Sequence, residues 1–146
     1  MNDLVINEGN NVFEDSNRFY CSMTGQTLEE KAKVFRAITN SDYKIADCIN
    51  QTIYTKDVFC EVVDLPNQDG EIHACYRIVL IDKDGKSYQA VSTGIYNAVS
   101  RLFVLFGEPT WDEPIPLKVK QINKDNSSGT QIGIQNNYYR GDNEHD

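Results

Sequence analysis

Long hydrophobic runs are missing from this chain of 146 residues. None of its apolar stretches approaches the roughly 20 residues that a helix needs to cross a bilayer. The first residues, Met1–Leu4, lack both the basic start and the apolar stretch of a secretory signal peptide. We therefore expect one domain that works without a membrane, in the compartment where it is made.

Cysteine and histidine are also scarce. Cys21, Cys48, Cys60 and Cys75 lie far apart and form no CxxC motif, whereas small disulfide-stabilised domains use cysteine more densely. His73 lies two residues before Cys75, but a structural zinc site needs four ligands and the sequence shows no such set. We expect reduced, buried thiols, and neither a metal nor another cofactor.

Catalytic motifs are absent as well. The sequence contains no GxSxG, HExxH or GxGxxG motif and no phosphate-binding loop. His145 lies in a polar tail, so His73 is the one candidate base near neutral pH. Asp57, Glu61 and Asp64 are close in sequence, but their spacing distributes them over both faces of a strand. The chain is predicted not to be an enzyme, and a small nuclease or modifying enzyme is the alternative left open.

Positive charge is in the minority: 14 lysines and arginines stand against 22 acidic residues, which gives a net charge of -8. The excess of acid is concentrated in residues 1–20 and after Gln135, so the rest of the chain is closer to neutral. From Pro114 to Lys124 the sequence has three lysines and no acid. This distribution argues against a salt-driven binder of duplex DNA and leaves room for contacts to a phosphate backbone.

Composition divides the chain into three parts. Residues 1–18 are acidic and rich in asparagine, without a sustained apolar period, which predicts a flexible acidic lead-in. Residues 136–146 are polar and charged, which predicts a disordered acidic tail. The residues between them, 19–135, are expected to form the folded domain.

Two helices are indicated within this domain. The first begins at a capping box formed by Thr27 and Glu30. Its predicted packing face consists of Leu28, Ala32, Phe35 and Ile38, which recur at helical spacing. The second helix opens at Thr93 and ends at Gly107, because glycine is a preferred residue just past a helix end.

Five strands are indicated by a period of two. They cover residues 51–65, 71–81, 87–92, 117–122 and 130–135, with the second helix between the third and fourth strands. An OB fold has this order of elements, and its helix plugs the barrel. We therefore predict a mainly β, OB-fold-like five-stranded barrel with one plugging helix and an N-terminal helical extension. An α+β sheet with helices on one face is the alternative.

Aromatic and cationic residues share faces of these strands, as a protein that binds single-stranded nucleic acid requires for bases and phosphates. Residues two apart on a strand point to the same side, which pairs Tyr54 with Lys56 and Lys118 with Lys120. The candidate binding residues are Tyr54, Lys56, Arg77, Tyr88, Lys118 and Lys120. The alternative is that the lysines are ordinary solvated residues and that Tyr54 covers the edge of the core.

Several stretches together resemble one protein family. They are Asp42–Asn50, Thr55–Val58, Tyr88–Tyr96, Phe106–Trp111 and Pro116–Ile122. The chain from about Thr27 to Ile134 resembles the single-stranded DNA-binding proteins of small tailed phages, particularly phages that replicate linear genomes by protein priming. The pattern as a whole carries this resemblance, since no single motif is diagnostic.

The resemblance implies an OB-fold protein that coats the DNA strand displaced during phage replication and protects it. Its partner is then single-stranded DNA, its location the cytoplasm of the infected bacterium, and phage replication proteins are candidate partners. The groove residues that the resemblance supports are Tyr54, Lys56, Lys118 and Lys120. The alternative function is an acidic phage protein that binds or inhibits a host protein without nucleic acid. The sequence leaves the oligomeric state open.

Truncation after Gln135 is expected to leave the melting temperature unchanged, because residues 136–146 offer no apolar period for packing. The truncated protein should bind oligo-dT more tightly, since a negative tail competes with DNA for cationic side chains. Thermal unfolding and a fluorescence titration check these two expectations. A lower melting temperature would instead show that Tyr138 and Tyr139 pack on the domain.

Overall fold

The computed structural model describes residues 19–124 and 127–135, and the predicted lead-in and tail lie outside them. The described chain forms one curled, half-barrel sheet of seven strands with two helices packed against it. The strands are β1 (Phe19–Cys21), β2 (Tyr43–Lys44), β3 (Thr52–Pro66), β4 (Ile72–Asp82), β5 (Ser87–Val91), β6 (Ile115–Lys124) and β7 (Ser127–Ile134). The helices are α1 (Leu28–Thr39) and α2 (Thr93–Phe106), with a 3-10 helix at Ile45–Cys48.

The strand β3 is the longest, with 15 residues, and organises the sheet. The strand order is β2-β5-β4-β3-β6-β7, and β1 also pairs with β3. One edge of β3 pairs with β4; the other pairs first with β6, through Thr52–Thr55, and then with β1, through Phe59–Glu61. A register irregularity between Thr55 and Asp57 separates these two segments. Because a bulge bends its strand, this irregularity contributes to the curl of the sheet.

The inner face of the sheet carries the main core. Helix α2 places Ile95, Val99 and Leu102 against it. The sheet contributes buried residues from four strands, namely Ile53, Val58, Cys60, Ile78, Leu80, Leu117, Val119 and Ile132. The predicted ends of this helix are confirmed: the Ser92 hydroxyl accepts from the Ile95 amide, and Gly107 has a φ of 84°. Only glycine adopts such a backbone angle without strain.

The outer face has a smaller core beneath α1. Phe59, Val79 and Ile81 are buried there, and Ala37 and Ile38 of α1 pack on them. The capping box of α1 is confirmed, since the Thr27 hydroxyl accepts from the Glu30 amide at 3.0 Å and the Glu30 carboxylate accepts from the Thr27 amide at 3.2 Å. Backbone donors at Gln26 and Thr27 hold the pKa of the Glu30 carboxyl below its ordinary value.

The packing face predicted for α1 is wrong in part. Leu28 and Ala32 are exposed, and Phe35 is 69% exposed; Ile38 alone of the predicted set packs on the sheet. The outer face offers apolar surface only beneath the last turns of the helix, where Ala37 and Ile38 lie. Helical periodicity reports a stripe of apolar residues, but not how much sheet is available to cover it.

The strand count also differs from the prediction of five. The two additional strands, β1 and β2, have three and two residues, which is too short to display a period of two. The five longer strands match the predicted ones within a few residues at each end. All four cysteines are free thiols; Cys48 and Cys60 are buried, while Cys21 and Cys75 are half-buried. Burial raises the pKa of the Cys60 thiol to about 12.

Replacing Ile38 with alanine should lower the free energy of unfolding by about 1–2 kcal/mol, because Ile38 covers the outer core. Phe35→Ala is the matched control on the same helix and should change it by less than about 0.5 kcal/mol, since that ring is exposed. Urea unfolding of both variants checks the pair. A larger loss of unfolding free energy for Phe35→Ala would show that Phe35 packs against the sheet, as the helical periodicity predicts.

Candidate nucleic-acid interface

Tyr54 lies on the outer face of β3, and its ring is available to solvent. Its neighbours Ile53 and Thr55 are buried, so the alternation of a strand turns Tyr54 outward, with 43% of the residue exposed. Pro116 of β6 lies directly opposite Tyr54, and Lys118 lies opposite Thr52. Tyr54 and Lys118 are therefore diagonal neighbours on one face, with Cα atoms about 7–8 Å apart.

Two lysines of β6 continue this face. Leu117 and Val119 are buried, so Lys118 and Lys120 both point outward, as the sequence predicts. A Cβ atom on Gly133 of β7 would lie 3.4 Å from the Lys120 ammonium nitrogen, which places that side chain over the neighbouring strand. The two cations thus form a short row that starts beside Tyr54 and extends toward β7.

A third cation, Lys83, lies over the Tyr54 ring. Its ammonium nitrogen is 5.5 Å from the ring centroid, and its backbone amide donates to the Tyr54 carbonyl at 2.9 Å. Lys83 is not among the candidate binding residues predicted from the sequence. No local signal pairs it with Tyr54, because their proximity depends on the register of β3 against β4. We call the set Tyr54, Lys83, Lys118 and Lys120 the Tyr54 surface.

Lys56 lies at the irregularity of β3, where the alternation that pairs it with Tyr54 breaks. Between Thr55 and Asp57 the register against β4 shifts, and Lys56 is the extra residue. It is half-buried, and its carbonyl accepts from the Trp111 amide at 2.9 Å. The backbone at Lys56 therefore anchors the segment between α2 and β6.

Arg77 is placed away from the Tyr54 surface, beneath the end of α1. Its side chain is 14% exposed and forms an ion pair with Glu61 at 3.1 Å. The guanidinium also donates to the Ile38 carbonyl at 2.6 Å and to the Gln89 side chain at 3.0 and 3.2 Å. These partners lie on α1, β3 and β5, so Arg77 ties the helix to the sheet.

Tyr88 lies on the inner face of the sheet, opposite to Tyr54. It pairs with buried Leu80 and packs against the main core. Its hydroxyl donates to the Asp82 carboxylate at 2.9 Å, and its ring stacks on Tyr43 with centroids 5.1 Å apart. Burial, with the hydrogen bond and charge of Asp82, raises the pKa of the Tyr88 hydroxyl. Of the six predicted residues, the structure brings together Tyr54, Lys118 and Lys120.

Residues 13–135 match the family model of the phage single-stranded DNA-binding proteins of the Phi29 type. The chain belongs to this family. The match covers most of the sequence and confirms the resemblance seen in its motifs. Neither the curated proteins nor the solved structures contain a match.

This phage single-stranded DNA-binding protein also has a histidine–cysteine contact and a cavity outside the Tyr54 surface. His73 Nδ1 and Cys75 Sγ lie 3.9 Å apart, but the described residues contain no group of three or more side chains arranged to hold a metal. Within the same ranges, no helix has the length and apolarity that a membrane crossing requires. A cavity of about 470 Å³ lies between the end of β5 and the start of β7, where Lys44, Val91 and Thr130 are among its lining residues.

Replacing Arg77 with lysine should lower the free energy of unfolding by about 1–3 kcal/mol, because an ammonium lacks the planar fork with which the guanidinium reaches Glu61, Gln89 and the Ile38 carbonyl on three different elements. Arg101→Lys, at an exposed position of α2, is the control and should change it by less than about 0.5 kcal/mol. Chemical denaturation measures both. Unchanged stability with weakened oligo-dT binding would instead make Arg77 a DNA contact, as the sequence predicts.

Proposed function

We propose that this protein coats single-stranded DNA during phage DNA replication, and that the Tyr54 surface contacts the DNA. The observation that carries the proposal is an outward tyrosine beside three lysines in a chain of this family. A flat ring accepts a base by stacking, whichever base it is, and ammonium groups spaced along neighbouring strands accept phosphates. Both requirements of a coating protein are present on one face.

The connectivity of the sheet supports an OB-like assignment for residues 19–135. The chain order of the elements is β3-β4-β5-α2-β6-β7. An OB fold has the same order, with its helix between the third and fourth of its five strands. Strand β3 pairs with both β4 and β6, while β5 pairs with β4 and β7 with β6. These pairs describe a partly open barrel around α2, to which β1, α1 and β2 are additions.

Membership of the family supports the proposed place of this activity in the phage cycle. A strand displaced by a protein-primed polymerase remains single-stranded until it is copied. A protein that coats it excludes nucleases and unproductive priming, and it acts in the cytoplasm of the infected bacterium. Replication proteins of the phage are the partners expected at such a site.

Stacking should dominate the affinity, because the protein carries a net charge of -8 and the Tyr54 surface holds only three lysines. Contacts to about three or four phosphates give a log–log dependence of affinity on salt with a slope of about -2 to -3. Titration of oligo-dT across a KCl series measures this slope. A slope steeper than about -6 would locate the DNA in an electrostatic groove elsewhere.

Replacing Tyr54 with alanine should weaken oligo-dT binding by about 1–3 kcal/mol, the value of one stacked base, with little change in melting temperature. Lys118→Ala combined with Lys120→Ala should also weaken binding without loss of stability. Tyr43→Ala is the matched control: Tyr43 has a similar exposure, 46%, but contacts Tyr88 of the inner face. It should bind normally.

Three outcomes would contradict the proposal in different ways. A Tyr54→Ala protein that binds normally but melts earlier would make Tyr54 a core-edge residue. Normal binding by the double lysine variant as well would remove the Tyr54 surface as the site. No binding of oligo-dT by the wild-type protein would favour the alternative of a host-protein partner.

A further inference from the structure

The contact between Lys83 and Tyr54 occupies one face of the Tyr54 ring, on which a base could stack. The Lys83 ammonium lies 5.5 Å from the Tyr54 centroid, within the range of a cation–π contact. Both residues are exposed, and such contacts are weak where water competes. The ammonium is therefore a replaceable occupant of the ring face.

The backbone of Lys83, by contrast, is held firmly beside Tyr54. Its amide donates to the Tyr54 carbonyl at 2.9 Å. The Asp82 carboxylate accepts from the amides of Asp84 and Lys86, both at 2.9 Å, which closes the turn. A fixed backbone with a flexible four-carbon side chain lets the ammonium move while its anchor stays in place.

We propose that Lys83 is a DNA-contact residue that exchanges partners on binding: a base takes the Tyr54 ring face, and the displaced ammonium binds the phosphate of that nucleotide. This inference rests on the proposed function of the Tyr54 surface. A base stacked on Tyr54 excludes the ammonium from its position over the ring. Because the Lys83 backbone does not move, the freed ammonium remains beside the stacked nucleotide and binds its phosphate. The neighbouring Asp82 carboxylate already accepts from the amides of Asp84 and Lys86 and from the Tyr88 hydroxyl.

The exchange predicts that Lys83 contributes differently to the binding of strands with bases and of strands without them. A strand with bases gains both the stack on Tyr54 and the phosphate contact of Lys83. An abasic strand offers phosphates but nothing to displace the ammonium, so Lys83 stays on the ring. Lys83 should therefore contribute to the binding of oligo-dT and contribute much less to the binding of an abasic phosphodiester of equal length.

The first test compares Lys83→Ala with the wild-type protein in oligo-dT titrations over a KCl series. The variant should bind more weakly at low salt, and its log–log slope should be shallower by about 0.7, the loss of one phosphate contact to a single strand. Lys86→Ala is the matched control, since Lys86 is an exposed lysine of the same turn that lines a cavity beside α1 instead. It should retain the wild-type slope.

The second test observes the exchange directly by NMR. In the free protein, the Tyr54 ring current should shift the side-chain methylene protons of Lys83 upfield. Addition of oligo-dT should abolish this shift, whereas an abasic strand should preserve it. Retention of the shift in the oligo-dT complex would show that the ammonium does not leave the ring, and would overturn the inference.

The failure of this inference is distinguishable from failure of the proposed function. A Lys83→Ala protein that binds oligo-dT as tightly or more tightly, with an unchanged slope, would mean that Lys83 only shields the ring. The Tyr54 surface would still stand if Tyr54→Ala weakens binding in the same assay. If Lys83→Ala, Tyr54→Ala and the double Lys118 and Lys120 variant all bind normally, the proposed surface itself is wrong.

Discussion

The sheet depends on one long strand, β3, which pairs with three neighbouring strands. Strand β3 uses a single edge for β4 and divides the other edge between β6 and β1. The shift between Thr55 and Asp57 makes this division, because it bends β3 at the point where one partner ends and the other begins. That bend contributes to the half-barrel around α2. The same bend places Tyr54 on the segment that pairs with β6, next to Lys118.

The two faces of the sheet consequently have different roles. The inner face is closed by α2 and contains the main core. The outer face is divided: α1 covers the part over Phe59, Val79 and Ile81, where Arg77 ties the helix down. On the part formed with β6, Tyr54 and Lys120 are exposed and Lys118 is half-buried. An aromatic and cationic strip beside a fixed helix is a surface on which a flexible strand of DNA can lie.

Sequence reasoning succeeded where a short-range rule decides the outcome. The capping box at Thr27, the helix stop at Gly107 and the alternation around Lys118 are local patterns, and all three are present in the structure. Contacts that depend on which segments meet are not predicted from the sequence. The Arg77–Glu61 pair and the Lys83–Tyr54 contact follow from the register of β3 and β4. That register is set by the loop between the two strands and by the shift at Lys56, which a period of two does not reveal. The exposure of Phe35 likewise depends on how far the sheet extends beneath α1.

If the proposal is correct, single-stranded DNA lies across the outer face of β3 and β6. A titration of the isotopically labelled protein with oligo-dT, followed through its backbone amide NMR signals, maps the DNA-binding face. We expect the largest shifts at Tyr54, Lys83 and Lys118. Shifts concentrated instead around Lys44, Val91 and Thr130, which line the cavity between β5 and β7, would contradict it.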